Sequence, residues 1–300
     1  MKSCEDVYVG SEIGALKRVL LHRPGKELKR ITIDNKEDFL IDEIVWVERA
    51  RRDHDDFASM LRKNGAEVVY FQDCLADVLK ESEVRLNLLD DLLMYETRDK
   101  HLSDALKAAV MQMTAEDAAD VLIGGMTKRE AVSILGNVKS LAFVSANERS
   151  FLLYTLPNIY IQRDPYFFVR NAVALCAMRY PARRREPLLA RYIFQHHPLF
   201  KGVKIVFGGE QRDRYPNVIE GGDFLVLNED CVAIGMSERS MAGTVQNVGG
   251  RLASEIGIRK VLAVDIPKQR AYMHLDTVFT MVDRDAFTIY PGIAGNIRVW

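Results

Sequence analysis

The sequence predicts an α/β fold broken by a helical insertion, on three observations. Apolar runs of strand length appear early and again from residue 151 onward. Between residues 81 and 137 strand character disappears. After residue 151 an order of strand, hairpin, helix and strand recurs, weak in residue identity but visible in element order. At 300 residues the chain is long enough for about two domains. We assign residues 1–78 and 148–300 to one α/β domain and 79–147 to an inserted helical subdomain.

Composition narrows the function classes. Hydrophobic residues are 48% and charged residues 28%, the balance of a globular chain with a core. With 41 Lys and Arg against 42 Asp and Glu, the net charge of −1 argues against a dedicated nucleic-acid binder. No uncharged apolar stretch approaches the ~18 residues of a membrane span. Glu5 and Asp6 lie where a signal peptide would be apolar. The four cysteines, Cys4, Cys74, Cys176 and Cys231, form no C-x-x-C pair, so neither a disulfide scaffold nor a zinc finger is indicated. The expectation is a soluble cytoplasmic protein engaging neither nucleic acid nor membrane.

The elements follow in chain order. Residues 16–22 are an apolar run stopped by Pro24-Gly25, as a strand entering a turn. Val47, Ala50, His54, Phe57 and Leu61 recur on one face of a helix that Asn64-Gly65 ends, and strand character resumes over 67–71. In the helical block, Thr114 with Asp117 and Thr127 with Glu130 are capping-box patterns, and Gly124-Gly125 stops the helix between them. Strands are expected over 172–178 and 204–207, then a hairpin from 224–227 to 231–234 across Asn228-Glu229-Asp230. A helix is expected over 237–256, interrupted at Gly249-Gly250, then a buried strand over 261–266 and a fresh copy of the pattern from Met273.

Three polar motifs sit against these apolar segments. In PNIYIQRDP at 157–165, a strand leading into an Asp-Pro turn is as good a reading as a functional one. In IEGGD at 219–223, Gly-Gly between two carboxylates lets the backbone approach something closely, and a desolvated Glu220 suits proton handling. In MHLDT at 273–277, a strand places His274 and Asp276 on one face. An iron-binding facial triad also contains H-x-D, but it needs a later histidine, and none follows His274. No metal is therefore expected. Arg179, Arg183, Arg184, Arg185 and Arg191 read mostly as a solvated helix start, with one of them suited to gripping a carboxylate.

Together these motifs resemble the signatures of arginine deiminase, within the guanidino-group-modifying (amidinotransferase) superfamily. LLHRPG at 20–25 with Glu27, Asp53-His54-Asp55, and GMTK at 125–128 match the family's N-terminal pattern, so the resemblance runs from Val9 to Trp300. It implies a pentein-type α/β propeller of five modules, about three and a half of them present here, with an all-helical insertion. The implied reaction is hydrolysis of L-arginine to L-citrulline and ammonia without a cofactor. By resemblance Asp164 and Asp276 grip the guanidinium, His274 is the general acid and base, and Glu220 binds guanidinium and moves protons. Asn158, Arg183 and Arg239 resemble the residues that fix the substrate's α-carboxylate. Arg170 and Ala172 stand where the family usually has glycines.

The family's nucleophile is a cysteine in a C-terminal C-M-S-M-P-type motif, and no such motif occurs in these 300 residues. The resemblance thus implies a deiminase incomplete at its C-terminus, lacking its nucleophile and last propeller modules and inactive as it stands. The alternatives are a guanidinium-binding pseudoenzyme or an amidinotransferase of the same superfamily. If an unlooked-for thiol took over, Cys231 is nearest the motifs in sequence. The open strand edges of an unclosed propeller call for a covering chain, so a homo-oligomer is expected.

Overall fold

The computed structural model describes residues 7–97, 99–136, 138–209, 213 and 215–300; Cys4 and Asn137, the expected end of the helical block, lie outside the described residues. The chain divides into two compact units, one of Leu16–Gln162 with Gln195–His197, the other of Met1–Ala15, Arg163–Phe194 and Pro198–Trp300. The first unit therefore takes the early strands along with the helices, a division wider than the composition change at 79–147.

In that unit β1 (Arg18–Leu21) pairs in parallel with β2 (Glu67–Tyr70) across α1 (Lys26–Lys29) and α2 (Val47–Lys63). The inward face of α2 carries Val47 and Ala58, while Phe57, expected inward, is half exposed. The helical block begins earlier than composition indicates. Phe71 opens α3 (Phe71–Leu79) directly after β2, and Phe71, Cys74, Leu75, Val78 and Leu79 form one buried stripe at helical spacing. Then come α4 (Ser82–Glu96), α5 (Lys100–Met111) and α6 (Ala115–Gly124). Thr114 Oγ1 accepts from Asp117 N at the head of α6. The block is not wholly helical, because β3 (Met126–Thr127) pairs antiparallel with β4 (Phe151–Leu153) around α7 (Lys128–Leu135) and α8 (Leu141–Ser145). Thr127 and Glu130 complete a reciprocal capping box on α7.

The other unit repeats one motif. Strands β5 (Tyr166–Val169) and β6 (Ala172–Leu175) form a hairpin, α9 (Glu186–His196) follows, and β7 (Lys204–Phe207) returns parallel to β6. The second copy is β8 (Phe224–Asn228), β9 (Cys231–Met236), α10 (Ala242–Ile256) and β10 (Lys260–Asp265), the last parallel to β9. Phe167 of one copy stacks on Phe224 of the other at 3.8 Å between ring centroids, inside a core that includes Val169, Val206, Ile234 and Val248. A fresh hairpin, β11 (Phe279–Met281) with β12 (Phe287–Ile289), follows, but β13 (Arg298–Val299) turns back to pair antiparallel with β10.

Two local expectations fail for stated reasons. Helix α10 starts at Ala242 and not at 237, because the hydroxyls of Ser237 and Ser240 are drawn to Asp223 instead of into a helix. It runs unbroken through Gly249 and Gly250. Arg170 adopts φ +50°, the backbone region that a family glycine would occupy without strain. Its side chain offsets that strain by donating to Glu229 O at 2.9 Å and Ile256 O at 2.5 Å and pairing with Asp230 at 3.2 Å. No helix among the described residues is long and apolar enough to cross a membrane.

Candidate active site

Three of the residues singled out from sequence lie a few positions ahead of a strand in this second unit. Asp164 precedes β5, Glu220 precedes the tight turn Gly221–Asp223 that feeds β8, and His274 heads the turn Leu275–Thr277 that feeds β11. All three are buried. Their ligating atoms lie within 4.8 Å of one another. His274 Nε2 is 2.9 Å from Glu220 Oε2, and its Nδ1 is 3.6 Å from Asp164 Oδ1.

The Gly-Gly of the second motif makes this approach physically possible. A Cβ on Gly222 would stand 2.4 Å from His274 Nδ1, and one on Gly221 would stand 2.1 Å from Arg163 O. Gly221 N also donates to Asp164 O at 2.8 Å, tying two of the motifs together through the backbone.

The strand argument for His274 and Asp276 is overturned: 274–277 is a turn, and His274 is its extended first residue. Asp276 still belongs to the cluster by charge, with Arg163 Nε at 3.9 Å and a side chain 30% exposed. The 157–165 motif likewise holds no strand, since Pro157–Tyr160 is a single tight helical turn. Asn158 belongs to the other compact unit, where its Nδ2 donates to Phe39 O at 2.7 Å.

The two arginines assigned to a substrate carboxylate are occupied with the site's own carboxylates. Arg183 Nη1 donates to Asp164 Oδ2 at 2.5 Å, and Arg239 Nη1 donates to Glu220 Oε2 at 3.1 Å. Both guanidinium groups are buried, and Arg239 also lies 4.6 Å over the Tyr180 ring. The solvated-helix reading of the arginine cluster therefore fails for Arg183, and for Arg185, which is 4% exposed.

Several functional neighbours escaped the sequence reading. Glu186, fully buried at the start of α9, takes Arg183 Nε at 3.0 Å and Nη2 at 2.7 Å. Asp223, the last residue of the glycine motif, accepts from Ser237 Oγ and Ser240 Oγ at 2.6 Å each and from Leu275 N at 2.8 Å. That last bond fixes the peptide that carries His274. Arg179 N and the Ser240 hydroxyl hold Glu220 from behind. Signals existed only as R-x-x-E spacing at 183–186 and as the serines of 237–240.

Burial and charge set the proton affinities. Burial pulls the His274 imidazolium down, but the hydrogen bond to Glu220 and the charges of Asp164 and Asp223 outweigh it, leaving its pKa raised. Burial pushes Glu220 up, and His274, Arg239 and Arg183 more than reverse this, leaving it lowered. Asp223 has no arginine partner among the described residues, and burial lifts it to about 7. Burial raises Asp276 as well, helped by Asp164 and Glu12 and opposed by His274 and Arg163.

The described cysteines are unlike a nucleophile. Cys231 opens β9 and titrates high through burial, with only Lys260 pulling it down. Cys176 is buried among Glu220, Asp164 and Asp223, and both its burial and those negative charges push its thiol far up. Burial raises Cys74 to about 12. As for metals, the Asp164–Glu220–His274 trio has ligand spacing, but two cations, Arg183 and Arg239, already sit on its carboxylates and repel a third. An open cavity of about 1000 Å³ near Arg179, Val245, Val261 and Trp300 includes none of the trio in its lining.

The profile of the arginine deiminase family matches residues 37–300. The chain belongs to the arginine deiminase family. It is 38% identical over 99% of its length to an arginine deiminase of Streptococcus gordonii, covering 73% of that relative. An arginine deiminase of Streptococcus agalactiae is 37% identical over the whole chain, again with 73% of the relative covered. Among solved structures, an amidinotransferase from Microseira wollei in the saxitoxin biosynthetic pathway covers 96% of this chain and 72% of its own, at 11% identity and a TM-score of 0.48.

Proposed function

We propose that these residues form the guanidinium-binding and proton-handling part of an arginine deiminase site, acting on L-arginine to give L-citrulline and ammonia. The observation that carries this is the Asp164–Glu220–His274 cluster, whose two carboxylates already hold guanidinium groups, those of Arg183 and Arg239. Carboxylates that each accept from an internal guanidinium have the acceptor geometry for an external one. Substrate binding is then an exchange. The substrate guanidinium takes Asp164 and Glu220, with Asp276 as a further acceptor, and the displaced Arg183 and Arg239 turn to the substrate's α-carboxylate. The substrate's α-carboxylate gives the two displaced arginines a new counter-charge.

His274 stands where it can deliver a proton to departing ammonia, and its raised pKa keeps that proton available near neutrality. Glu220, with its lowered pKa, stays ionised and stabilises the imidazolium. The covalent step is different in kind. A guanidinium carbon is resonance-stabilised and resists water, and a thiolate splits the displacement into two easier steps. No described thiol is activated, and this favours a second reading, in which these 300 residues bind the guanidinium without turning it over. An amidinotransferase would need the same thiolate. We further propose that the two repeated sheets are modules of a pentein-type propeller, that the protein works in the cytoplasm, and that it self-associates.

The test is binding of L-arginine by the chain beside its release of citrulline and ammonia. Binding without release is the expected result. Absence of binding would contradict the site assignment, and robust release would show that another residue, Cys231 first, has taken the nucleophile's place.

A further inference from the structure

Arg183 is 3% exposed and carries three hydrogen bonds on one edge and one on the other. Its Nε and Nη2 are held by Glu186, whose two oxygens meet them at 2.7–3.1 Å, while Nη1 alone faces Asp164. Glu186 is fully buried and sits in the first turn of α9, where the helix end favours a negative group. It contacts neither His274 nor Glu220 by any hydrogen bond, so it has no direct part in proton transfer among the described residues. Its geometry matters when Asp164 changes partner. At that moment the Arg183 guanidinium would be free to rotate, carrying its Nη1 away from where a ligand carboxylate would meet it, unless a second carboxylate held its other edge.

We propose that Glu186 is a positioning residue for carboxylate-bearing substrates. It fixes the Nε/Nη2 edge of Arg183, so that Nη1 alone switches from Asp164 to the substrate's α-carboxylate. This rests on the functional reading above, and it adds a residue and a selectivity to it. A guanidinium compound without a carboxylate displaces Arg183 from Asp164 but gives Nη1 nothing in return. Glu186 therefore contributes to affinity for L-arginine and not to affinity for the guanidinium itself.

The experiment is calorimetric titration of L-arginine and of agmatine, which has the same guanidinium and no carboxylate, into the wild-type chain, Glu186→Gln and Glu186→Asp. Thermal melts confirm that each variant is folded. Glu186→Gln is expected to weaken L-arginine about tenfold, the size of one lost charge-assisted bond, and agmatine less than about twofold. Glu186→Asp keeps the charge and loses part of the fork, so a smaller loss confined to L-arginine is expected; it also carries the test if the amide variant does not fold. Equal losses for both ligands would mean a merely structural role and overturn the proposal, as would an unchanged L-arginine affinity. A wild-type chain that binds neither ligand would bring down the functional reading itself, whereas wild-type binding with unselective variants brings down only this one.

Discussion

His274 donates through Nε2 to Glu220 Oε2 at 2.9 Å, and the same histidine faces Asp164 across 3.6 Å through Nδ1. One imidazolium thus bridges two buried carboxylates that come from motifs more than fifty residues apart along the chain. The pair ties proton affinity to stability. Because the folded His274 pKa is raised, its contribution is whole below the ordinary histidine value and fades as pH rises through the folded one. Because that of Glu220 is lowered, its contribution is present above the ordinary carboxylate value and fades as pH falls through the folded one.

His274→Asn should therefore cost stability most between those limits, by roughly 1–3 kcal/mol, and least at either extreme. Urea unfolding of wild type and variant across pH 4 to 9 (about that range) reads the difference. A cost that does not vary with pH would contradict the pairing.

Asp223 gives a slope opposite to that of Glu220. Its pKa stands at about 7 in the fold, so the native state holds a proton that the unfolded chain has released, and stability falls as pH rises from the ordinary aspartate range towards 7. Asp276, which burial also raises, adds to the same fall. Asp223→Asn should flatten that slope without abolishing it. Melting temperatures measured across this range check it.

Gly222→Ala tests close approach without touching a charge. The added methyl would meet His274 Nδ1 at 2.4 Å, so the ring must leave its place in the cluster. L-arginine affinity should drop at least about tenfold while the chain stays folded. Calorimetry with a parallel melt distinguishes loss of the site from loss of the fold.

At Arg170 the backbone and the side chain pull in opposite directions. Arg170→Ala keeps φ +50° and removes the bonds to Glu229, Ile256 and Asp230, so it should destabilise the chain. Arg170→Gly loses the same bonds but relieves the strain, and should be more stable than the alanine variant by about 1 kcal/mol. Equal stability of the two would mean that the positive φ carries no strain.

Much of the site was legible because Asp164, Glu220 and His274 each sit in a dense motif against an apolar run, and the repeated strand, hairpin, helix, strand order marks the sheets that hold them. The rest depends on partners remote in sequence. Glu186 is one acidic residue at a helix start until Arg183 folds onto it, and Arg183 itself looks solvated among its neighbouring arginines. Period-two reasoning put His274 in a strand, but the bond from Leu275 N to Asp223 bends that segment into a turn. Ser237 and Ser240 have acceptable helix character until Asp223 claims their hydroxyls. Propensity reads neighbours in the chain, and these outcomes were decided by neighbours in space.

The most direct test is a crystal structure of this chain with L-arginine bound. The account predicts the ligand's guanidinium within hydrogen-bond distance of Asp164 and Glu220, with Arg183 Nη1 moved from Asp164 to the ligand carboxylate and still clamped by Glu186. Arginine bound elsewhere, with the Arg183–Asp164 and Arg239–Glu220 pairs intact, would contradict it.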